Sequence, residues 1–294
     1  VLNGVNTRLL THGEIFEGSG EVIVVITGSP GIPEFYEEFA LELYKNTKLP
    51  VCVVGYAGHD DIPSEGFETN SLKSNTHLFN LKGQLNHKLD FINNCINKNR
   101  KLHIVGHSLG AWLLLELLHK NNDLIQRISS IHLLFPTLQT LAQTENGKYI
   151  QNIVRTFHPL ALFAFQTVQL LPNVLRMCAI WIYLKLNSMP SHYVQRISTY
   201  LNPEVQKKQL MLAYEALDTV NELNKVAFDK VKHLTSVVYS TKDGWVPLEH
   251  IEDLKDFKPH LRLVEVNVEH AFVLKSSELV GKVAAELINT KKLN

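Results

Sequence analysis

The sequence predicts an α/β fold built on a doubly wound, mostly parallel sheet. Continuous apolar runs rich in β-branched residues, of which VIVVITG from Val22 is the first, alternate along the chain with segments of helical spacing. A run that is apolar at every position is typical of a strand covered on both faces. Hydrophobic residues make up 45% and charged residues 20% of the chain, a globular balance that supplies a sizeable core.

Local patterns define the elements of the amino-terminal half. After the first strand, Pro33 opens a segment whose aromatic and leucine residues recur at helical spacing. The run PVCVVGYAGHD predicts a second buried strand. From about Thr76 to Asn97, leucine and isoleucine return every three to four residues, which predicts one long amphipathic helix. The remaining elements of this half are the predicted strand KLHIVGH, the buried helix LGAWLLLELLHK and the strand RISSIHLLFP.

The carboxyl-terminal half completes the alternation after an interruption. LTSVVYS and LRLVEVNV predict strands, and helices are expected from about Pro247 to Phe257 and from about Glu278 to Ile288. The segment between these two halves does not alternate and reads as an insertion. The predicted organisation is a first part of the core (1–136), a helical cap or lid insertion with an apolar hairpin (137–232) and a second part of the core (233–294).

The segment GHSLG, residues 106–110, matches the G-x-S-x-G pattern of a nucleophile elbow. An apolar strand ends at Val105 and a buried helix begins after Ser108, which is the context that such an elbow requires. The turn lifts the serine hydroxyl to the top of the sheet and points it at a helix N-terminus. Ser108 is therefore the predicted nucleophile of an α/β-hydrolase fold. A glycine-rich connection with an incidental serine is the alternative.

A serine hydroxyl needs a general base and a carboxylate that orients the base. In this fold the acid and then the histidine follow the serine along the chain. Asp243 comes directly after the strand LTSVVYS and is the predicted acid, although Asp-Gly is also a common turn pair. His270, in the loop after the last strand, is the predicted base. The alternatives are Glu265 and Glu269 for the acid and His250 and His260 for the base, while His107 is expected to line the pocket or to pack.

Two backbone N–H groups are needed to hold the oxyanion of a tetrahedral intermediate. The predicted donors are Leu109, which follows the nucleophile, and Ser29 in the glycine-rich loop TGSPG after the first strand. Pro30 has no N–H to donate. A tight turn without this role is the alternative for the TGSPG loop.

The most hydrophobic part of the chain is PLALFAFQTVQLLPNVLRMCAIWIYLKL, residues 159–186. Pro172 divides it into two halves, each shorter than the roughly 20 residues that a spanning helix needs. Two short apolar helices predict either a lipid-surface hairpin or a buried lid over an apolar pocket. The expected lipid contacts are Phe163, Phe165, Trp181 and Tyr183.

Composition excludes several other classes of function. Lysine plus arginine and aspartate plus glutamate number 29 each, so the balanced charge argues against a nucleic-acid partner. The cysteines, Cys52, Cys95 and Cys178, are too scattered for a disulfide framework or a metal site, and we expect reduced thiols in a cytosol-facing protein. The first residues show no signal-peptide pattern.

With the elbow, the TGSPG loop, the apolar insertion, the KDGWVP loop and the NVEHAF loop in this order, the chain resembles the lipid droplet-associated hydrolase family over nearly its whole length. The most specific parts are VIVVITGSPG with the following EFYEEFALELY, and GHSLGAWLLLELL. Ser29 departs from the Gly-Asn-Pro-Gly loop usual in that family, which removes a side-chain contact and keeps the backbone donor. The resemblance implies a lipid ester substrate assigned to sterol esters, a location at lipid droplets and the endoplasmic reticulum, and no metal or organic cofactor.

The predicted function is therefore that of a serine esterase that works through an acyl-enzyme at a lipid surface. Two alternatives remain at this point. One is a lipid-droplet binding or organising protein whose hydrolase activity is weak or vestigial. The other is an acyltransferase that uses the same triad and in which an alcohol, rather than water, captures the acyl group.

Overall fold

The computed structural model describes residues 1–60 and 72–292. Within them, seven strands form one sheet: β1 (Leu9–His12), β2 (Gly20–Ile26), β3 (Val51–Val54), β4 (Arg100–His107), β5 (Ile128–Leu134), β6 (Thr235–Tyr239) and β7 (Arg262–Glu265). Their order across the sheet is β1-β3-β2-β4-β5-β6-β7. Strand β1 pairs antiparallel with β3, and the other neighbouring pairs are parallel. The predicted doubly wound, mostly parallel sheet is confirmed.

Strands β2 to β7 match the six predicted runs, whereas β1 was not predicted. Leu9–His12 is short, only partly buried and without clear alternation, so its strand conformation depends on pairing with β3. Strand β3 ends at Val54, before the end of the predicted run. At the next position, Gly55, a β-carbon would lie 2.3 Å from the carbonyl oxygen of Gly31, so the chain passes too close to its neighbour for a side chain.

Helices fill both faces of the sheet and the long connection between β5 and β6. In the described residues they are α1 (Glu37–Thr47), α2 (Leu72–Phe79), α3 (Leu81–Asp90), α4 (Leu109–Lys120), α5 (Asn122–Ile125), α6 (Glu145–Tyr149), α7 (His158–Leu170), α8 (Asn173–Leu186), α9 (Val194–Tyr200), α10 (Pro203–Thr219), α11 (Lys225–Val231), α12 (Leu248–Leu254) and α13 (Ser277–Lys292). A 3₁₀ turn at Pro33–Tyr36 leads into α1.

The single long helix predicted from about Thr76 to Asn97 is wrong. The chain breaks at Asn80, whose extended backbone separates α2 from α3 and whose side chain accepts a hydrogen bond from the Gly83 amide at 2.8 Å. Asparagine is a favoured helix N-cap, so this residue starts a new helix inside a pattern whose apolar spacing continues. A π-helical turn, Phe91–Cys95, then ends the segment.

The core has one large apolar cluster on each face of the sheet. Along β2, Val22, Val24 and Ile26 enter the cluster that contains the leucines of α4, whereas Ile23 and Val25 enter the cluster with α1 and α13. All five side chains are buried. Burying each such side chain contributes about 1.5–3 kcal/mol. Packing on both faces therefore fixes the positions of neighbouring strands, and with them the positions of the strand ends.

The connection between β5 and β6 contains α6 to α11. Its helices α7 and α8 are separated by a break at Leu171 and Pro172 and are bent by 117°. Among the described residues no single helix is both long and apolar enough to cross a membrane, and α7 and α8 reach that length and apolarity only when taken together. Ile180 and Leu184 anchor α8 in the cluster shared with α1 and α13.

Candidate active site

The predicted site lies where the order of the sheet reverses. From β2 the chain continues to β3 on one side, and it returns to place β4 on the other side. The carboxyl ends of β2 and β4 are adjacent, with Ile26 paired to Gly106. Open α/β sheets bind their ligands at such a switch point, because the loops after the two strands diverge and leave a crevice.

The elbow after β4 holds Ser108 in a strained backbone conformation, with φ 53° and ψ −125°. A non-glycine residue rarely adopts a positive φ, and here the surrounding structure enforces it. The Ser108 amide donates to the carbonyl of Leu134 at 3.0 Å, and Gly110 packs so closely on β2 that a β-carbon there would lie 2.4 Å from the Thr27 carbonyl oxygen. These contacts keep the hydroxyl of Ser108 at the top of the sheet.

The structure brings the three predicted side chains together. His270 Nε2 lies 2.8 Å from Ser108 Oγ, and His270 Nδ1 lies 2.7 Å from Asp243 Oδ2. Because a carboxylate only accepts hydrogen bonds, Nδ1 carries the proton and donates to Asp243. With the proton on Nδ1, Nε2 is left as the acceptor for the hydroxyl of Ser108. This arrangement can take a proton from the serine as the serine attacks.

The loop after β6 fixes the second oxygen of Asp243. Oδ1 accepts hydrogen bonds from the backbone amides of Trp245 at 2.8 Å and Val246 at 3.2 Å. The side chain of Asp243 is fully buried against His270. The Asp-Gly turn thus holds the carboxylate in a single orientation through the two backbone amides. Both alternative acids, Glu265 and Glu269, are exposed.

The alternative bases lie elsewhere. His250 Nε2 is hydrogen-bonded to Thr140 Oγ1 at 2.7 Å, and His260 is exposed. The structure therefore pairs Ser108 with the histidine that the chain order favoured.

His107, next to the nucleophile, links three loops of the site. Its Nε2 lies 3.1 Å from the backbone carbonyl of His270, which can only accept, so this nitrogen carries the proton. Burial and the nearby His270 lower the pKa of His107 well below its usual range, so the ring is neutral and its Nδ1 accepts from the Tyr36 hydroxyl at 2.6 Å. Burial raises the pKa of Tyr36, which keeps that proton in place, and the Tyr36 oxygen accepts from the Gly28 amide at 2.7 Å.

This chain of hydrogen bonds joins the loop after β2, the elbow and the base loop. From the sequence, His107 was expected to line the pocket or to pack. The role of Tyr36 was not predicted, because its spacing indicated only a core position in a helix. A hydroxyl on the buried face of a helix was the one available indication, since buried hydroxyls are normally hydrogen-bonded.

The two residues predicted to supply the oxyanion donors, Leu109 and Ser29, line one crevice together with Ser108. Leu109 is the first residue of α4, so its amide belongs to the positive end of the helix dipole. Ser29 is exposed and lines the crevice beside His270. In the described ranges, 1–60 and 72–292, neither amide has an intramolecular acceptor. The preceding Gly28 permits the close approach, since a β-carbon there would lie 2.8 Å from that of Ser108.

Two cavities meet at this site. The large cavity, of about 600 Å³, lies between the core loops and helices α8 and α9, and its lining is mostly apolar. Its lining includes Phe35, Ile180, Tyr183, Ile197, Tyr200 and His270. The small cavity, of about 270 Å³, lies beside Ser108 and α10. Ser29, Pro30, Tyr200 and His270 line both cavities.

The residues expected to contact lipid differ in exposure. Phe163, Trp181 and Tyr183 are exposed. Phe165, on the same helix as Phe163, is partly buried. Tyr183 also lines the large cavity, so its helix borders both the cavity and the solvent. Across residues 1–60 and 72–292, no cluster of three or more histidine, cysteine, aspartate or glutamate side chains has a geometry that could hold a metal ion.

Solved structures share this architecture at low sequence identity. A meta-cleavage product hydrolase from Pseudomonas fluorescens superposes with a TM-score of 0.66 over 100% of this chain and 97% of its own, at 15% identity. A thermophilic esterase from Thermogutta terrifontis superposes with a TM-score of 0.62 over 98% and 94% of the two chains, at 15% identity. Together with the parallel sheet and the elbow, these similarities define an α/β-hydrolase fold.

The sequence model of the lipid-droplet associated hydrolase family matches residues 19–273, so the chain belongs to that family. A lipid droplet-associated hydrolase from Drosophila melanogaster is 34% identical over 98% of this chain and 96% of its own length. The human protein of the same name is 27% identical over 94% and 87% of the two chains. The resemblance predicted from the motifs is confirmed.

Proposed function

We propose that this protein is a serine hydrolase that cleaves esters of neutral lipids with the triad Ser108, His270 and Asp243. The observation that carries the proposal is the uninterrupted hydrogen-bond path from the hydroxyl of Ser108 through both nitrogens of His270 to a buried carboxylate. An elbow serine at the N-terminus of a helix, beside a crevice, supports the same reaction class.

The proposed reaction has two halves. His270 takes the Ser108 proton as Oγ attacks the ester carbonyl, and the amides of Leu109 and Ser29 stabilise the oxyanion. The imidazolium then gives its proton to the leaving alcohol, and the acyl group stays on Ser108. Water attacks this acyl-enzyme with His270 again as the base, and the acid leaves as Ser108 recovers its proton.

The large cavity supports a lipid as the substrate. Its lining of aliphatic and aromatic side chains from α8 and α9 suits a long hydrocarbon chain or a sterol, since burying apolar surface contributes roughly 25 cal/mol per Å². Relatives of this chain are named lipid droplet-associated hydrolases. We therefore place the reaction at the cytosol-facing surface of lipid droplets and of the endoplasmic reticulum, with sterol esters as one candidate within the neutral-lipid class.

Hydrolysis of long-chain esters in an emulsion is the direct test of this proposal. We expect the purified protein to release acid from at least one of cholesteryl oleate, triolein, monoolein and a long-chain p-nitrophenyl ester. Long-chain esters should react faster than the corresponding acetates because only the long chain fills the large cavity. Adding an alcohol and measuring ester products distinguishes transfer to an alcohol from hydrolysis. A protein that cleaves none of these esters, with or without the emulsion, contradicts the proposal.

Helices α7 and α8 form an exposed apolar surface beside the large cavity. Leu170 at their junction is 84% exposed, and Phe163 is 64% exposed. The other large hydrophobic residues exposed on the two helices are Leu160, Val174, Leu175, Trp181, Ile182, Tyr183 and Leu186. So many exposed large apolar side chains on two successive helices are rare on a protein that faces only water. The proposed partner is the phospholipid monolayer of a droplet, with the apolar hairpin lying in the interface.

The double substitution Phe163→Glu and Trp181→Glu is expected to weaken binding to phospholipid-coated triolein droplets by at least about tenfold. Each aromatic side chain contributes roughly 1.5–3 kcal/mol when buried, and about 1.4 kcal/mol corresponds to a tenfold change in binding. Flotation of the droplets measures the bound fraction. Leu279→Glu is the matched control because Leu279 is exposed on α13, outside the hairpin. Equal flotation of the double variant and the control contradicts a hairpin anchor.

A further inference from the structure

The small cavity beside Ser108 contains polar groups that the proposed reaction does not use. Gln209 of α10 and Thr137 after β5 both line it, and they are only 5% and 2% exposed. Gln209 Nε2 and Thr137 Oγ1 have no hydrogen-bond partner within residues 1–60 and 72–292. Polar atoms this deeply buried are normally satisfied, so the pair requires an explanation.

A neighbouring amide fixes which end of Gln209 is free. Gln206 Nε2 donates to the backbone carbonyl of Tyr200, which can only accept, and it also donates to Gln209 Oε1 at 3.0 Å. The oxygen of Gln209 is therefore occupied, and the group left without a partner is its NH₂ donor. Thr137 adds a hydroxyl that can donate or accept. The small cavity thus offers one fixed donor and one adaptable group.

The energetic cost of this arrangement favours a ligand oxygen in the small cavity. A buried donor without an acceptor costs roughly 1–3 kcal/mol, and an oxygen on the ligand recovers that free energy. The large cavity, by contrast, is lined mostly by apolar side chains. Because the two cavities meet at His270, an ester whose carbonyl carbon reaches Ser108 places one of its two sides in each.

We infer that the preferred substrate is an ester with one long apolar side and one small side that carries a hydroxyl, which Gln209 and Thr137 bind. The inference rests on the proposed function and narrows its substrate class. The volume of about 270 Å³ is less than half that of the large cavity, so the small cavity suits the smaller side of the ester, for example a glycerol-sized group. Both a fatty acyl ester of a small polyol and a hydroxy-acid ester of a long alcohol have this chemistry.

Two pairs of esters of matched size test the inference and separate these two sources. The first pair is 2-hydroxyethyl dodecanoate and propyl dodecanoate, and the second is dodecyl hydroxyacetate and dodecyl propanoate. In each pair a hydroxyl replaces a methyl group. We expect the wild-type protein to favour the hydroxyl-bearing ester by about tenfold in kcat/KM in one pair. A preference in the first pair identifies a fatty acyl ester of a small polyol, and a preference in the second pair identifies a hydroxy-acid ester of a long alcohol. Equal kcat/KM within both pairs overturns the inference while leaving the proposed function intact.

Variants of the small cavity then assign the preference to particular side chains. Gln209→Met removes the NH₂ donor and Thr137→Val removes the hydroxyl. Each is expected to lower the preference, that is, kcat/KM for the hydroxyl-bearing ester divided by kcat/KM for its methyl-bearing partner, by at least about threefold. Thr137→Ser retains a hydroxyl and is expected to keep the wild-type ratio. A full preference in both Gln209→Met and Thr137→Val overturns the inference. If the wild-type protein cleaves none of the four esters but hydrolyses a long-chain ester of the first panel, the inference is overturned and the proposed function stands. If it cleaves no ester of either panel, both are overturned.

Discussion

Replacing Ser108 by alanine is expected to lower kcat for the best ester of the wild-type protein by at least about 10³-fold. The variant lacks the oxygen that lies 2.8 Å from His270 Nε2, so no acyl-enzyme can form. Residual turnover in such variants comes from the oxyanion donors and from substrate binding alone. Steady-state kinetics at saturating ester measure the effect.

The control for this substitution is Ser19→Ala. Ser19 is exposed in the turn before β2 and contributes to no part of the site, so its variant should keep the wild-type kcat. Thermal unfolding of both variants shows whether the fold is retained. A Ser108→Ala protein that remains folded and hydrolyses the ester at a similar rate contradicts the assigned nucleophile.

The second large effect is expected from Asp243→Asn, which should lower kcat by roughly 10³–10⁴-fold. Asparagine keeps an oxygen for the backbone amides of Trp245 and Val246, so the loop is retained. It also places an NH₂ donor against His270 Nδ1, and the ring responds by moving its proton to Nε2. That nitrogen then donates to Ser108 and no longer acts as the base.

Glu269→Gln is the matched control for the acid. Glu269 is an exposed carboxylate next to His270 in the chain and was an alternative acid on sequence grounds. Because it carries no part of the proposed hydrogen-bond path, its variant should retain the wild-type kcat. The reverse pattern, with activity lost in Glu269→Gln and kept in Asp243→Asn, contradicts the assigned acid.

Strands β2 and β3 could be predicted because they are buried on both faces of the sheet. Residues 22–26 and Val51–Val54 are apolar at every position, and this signal does not depend on distant contacts. Strand β1 carries no comparable signal, since Leu9–His12 is a partly exposed edge that is defined by its pairing with β3. The break at Asn80 was missed for a related reason, because a capping side chain does not interrupt apolar spacing.

The three residues of the proposed triad were selected from their order in the chain and from their positions after strands. Ser108, Asp243 and His270 each follow a strand of the sheet, and parallel strands bring their carboxyl ends to one edge. Sequence spacing therefore carries the information for their meeting. The same reasoning placed Ser29 and Leu109 beside the nucleophile.

The polar groups of the small cavity could not be found in this way. Gln209 lies in a helix of mixed polarity, where glutamine usually faces solvent. Its burial depends on how α10 packs over the elbow, which is a tertiary contact of the insertion. Thr137 likewise follows a strand that carried no motif. The two side chains that we propose set the substrate preference therefore lie where the sequence carried no functional motif.

The peptide that a covalent serine inhibitor modifies shows which residue is the nucleophile. The protein is treated with a fluorophosphonate, digested with trypsin and analysed by mass spectrometry. We expect one phosphonylated peptide, residues 102–120, in which Ser108 is the only serine. A modification found in any other peptide, or a protein that stays unmodified while it hydrolyses an ester, would contradict Ser108 as the nucleophile.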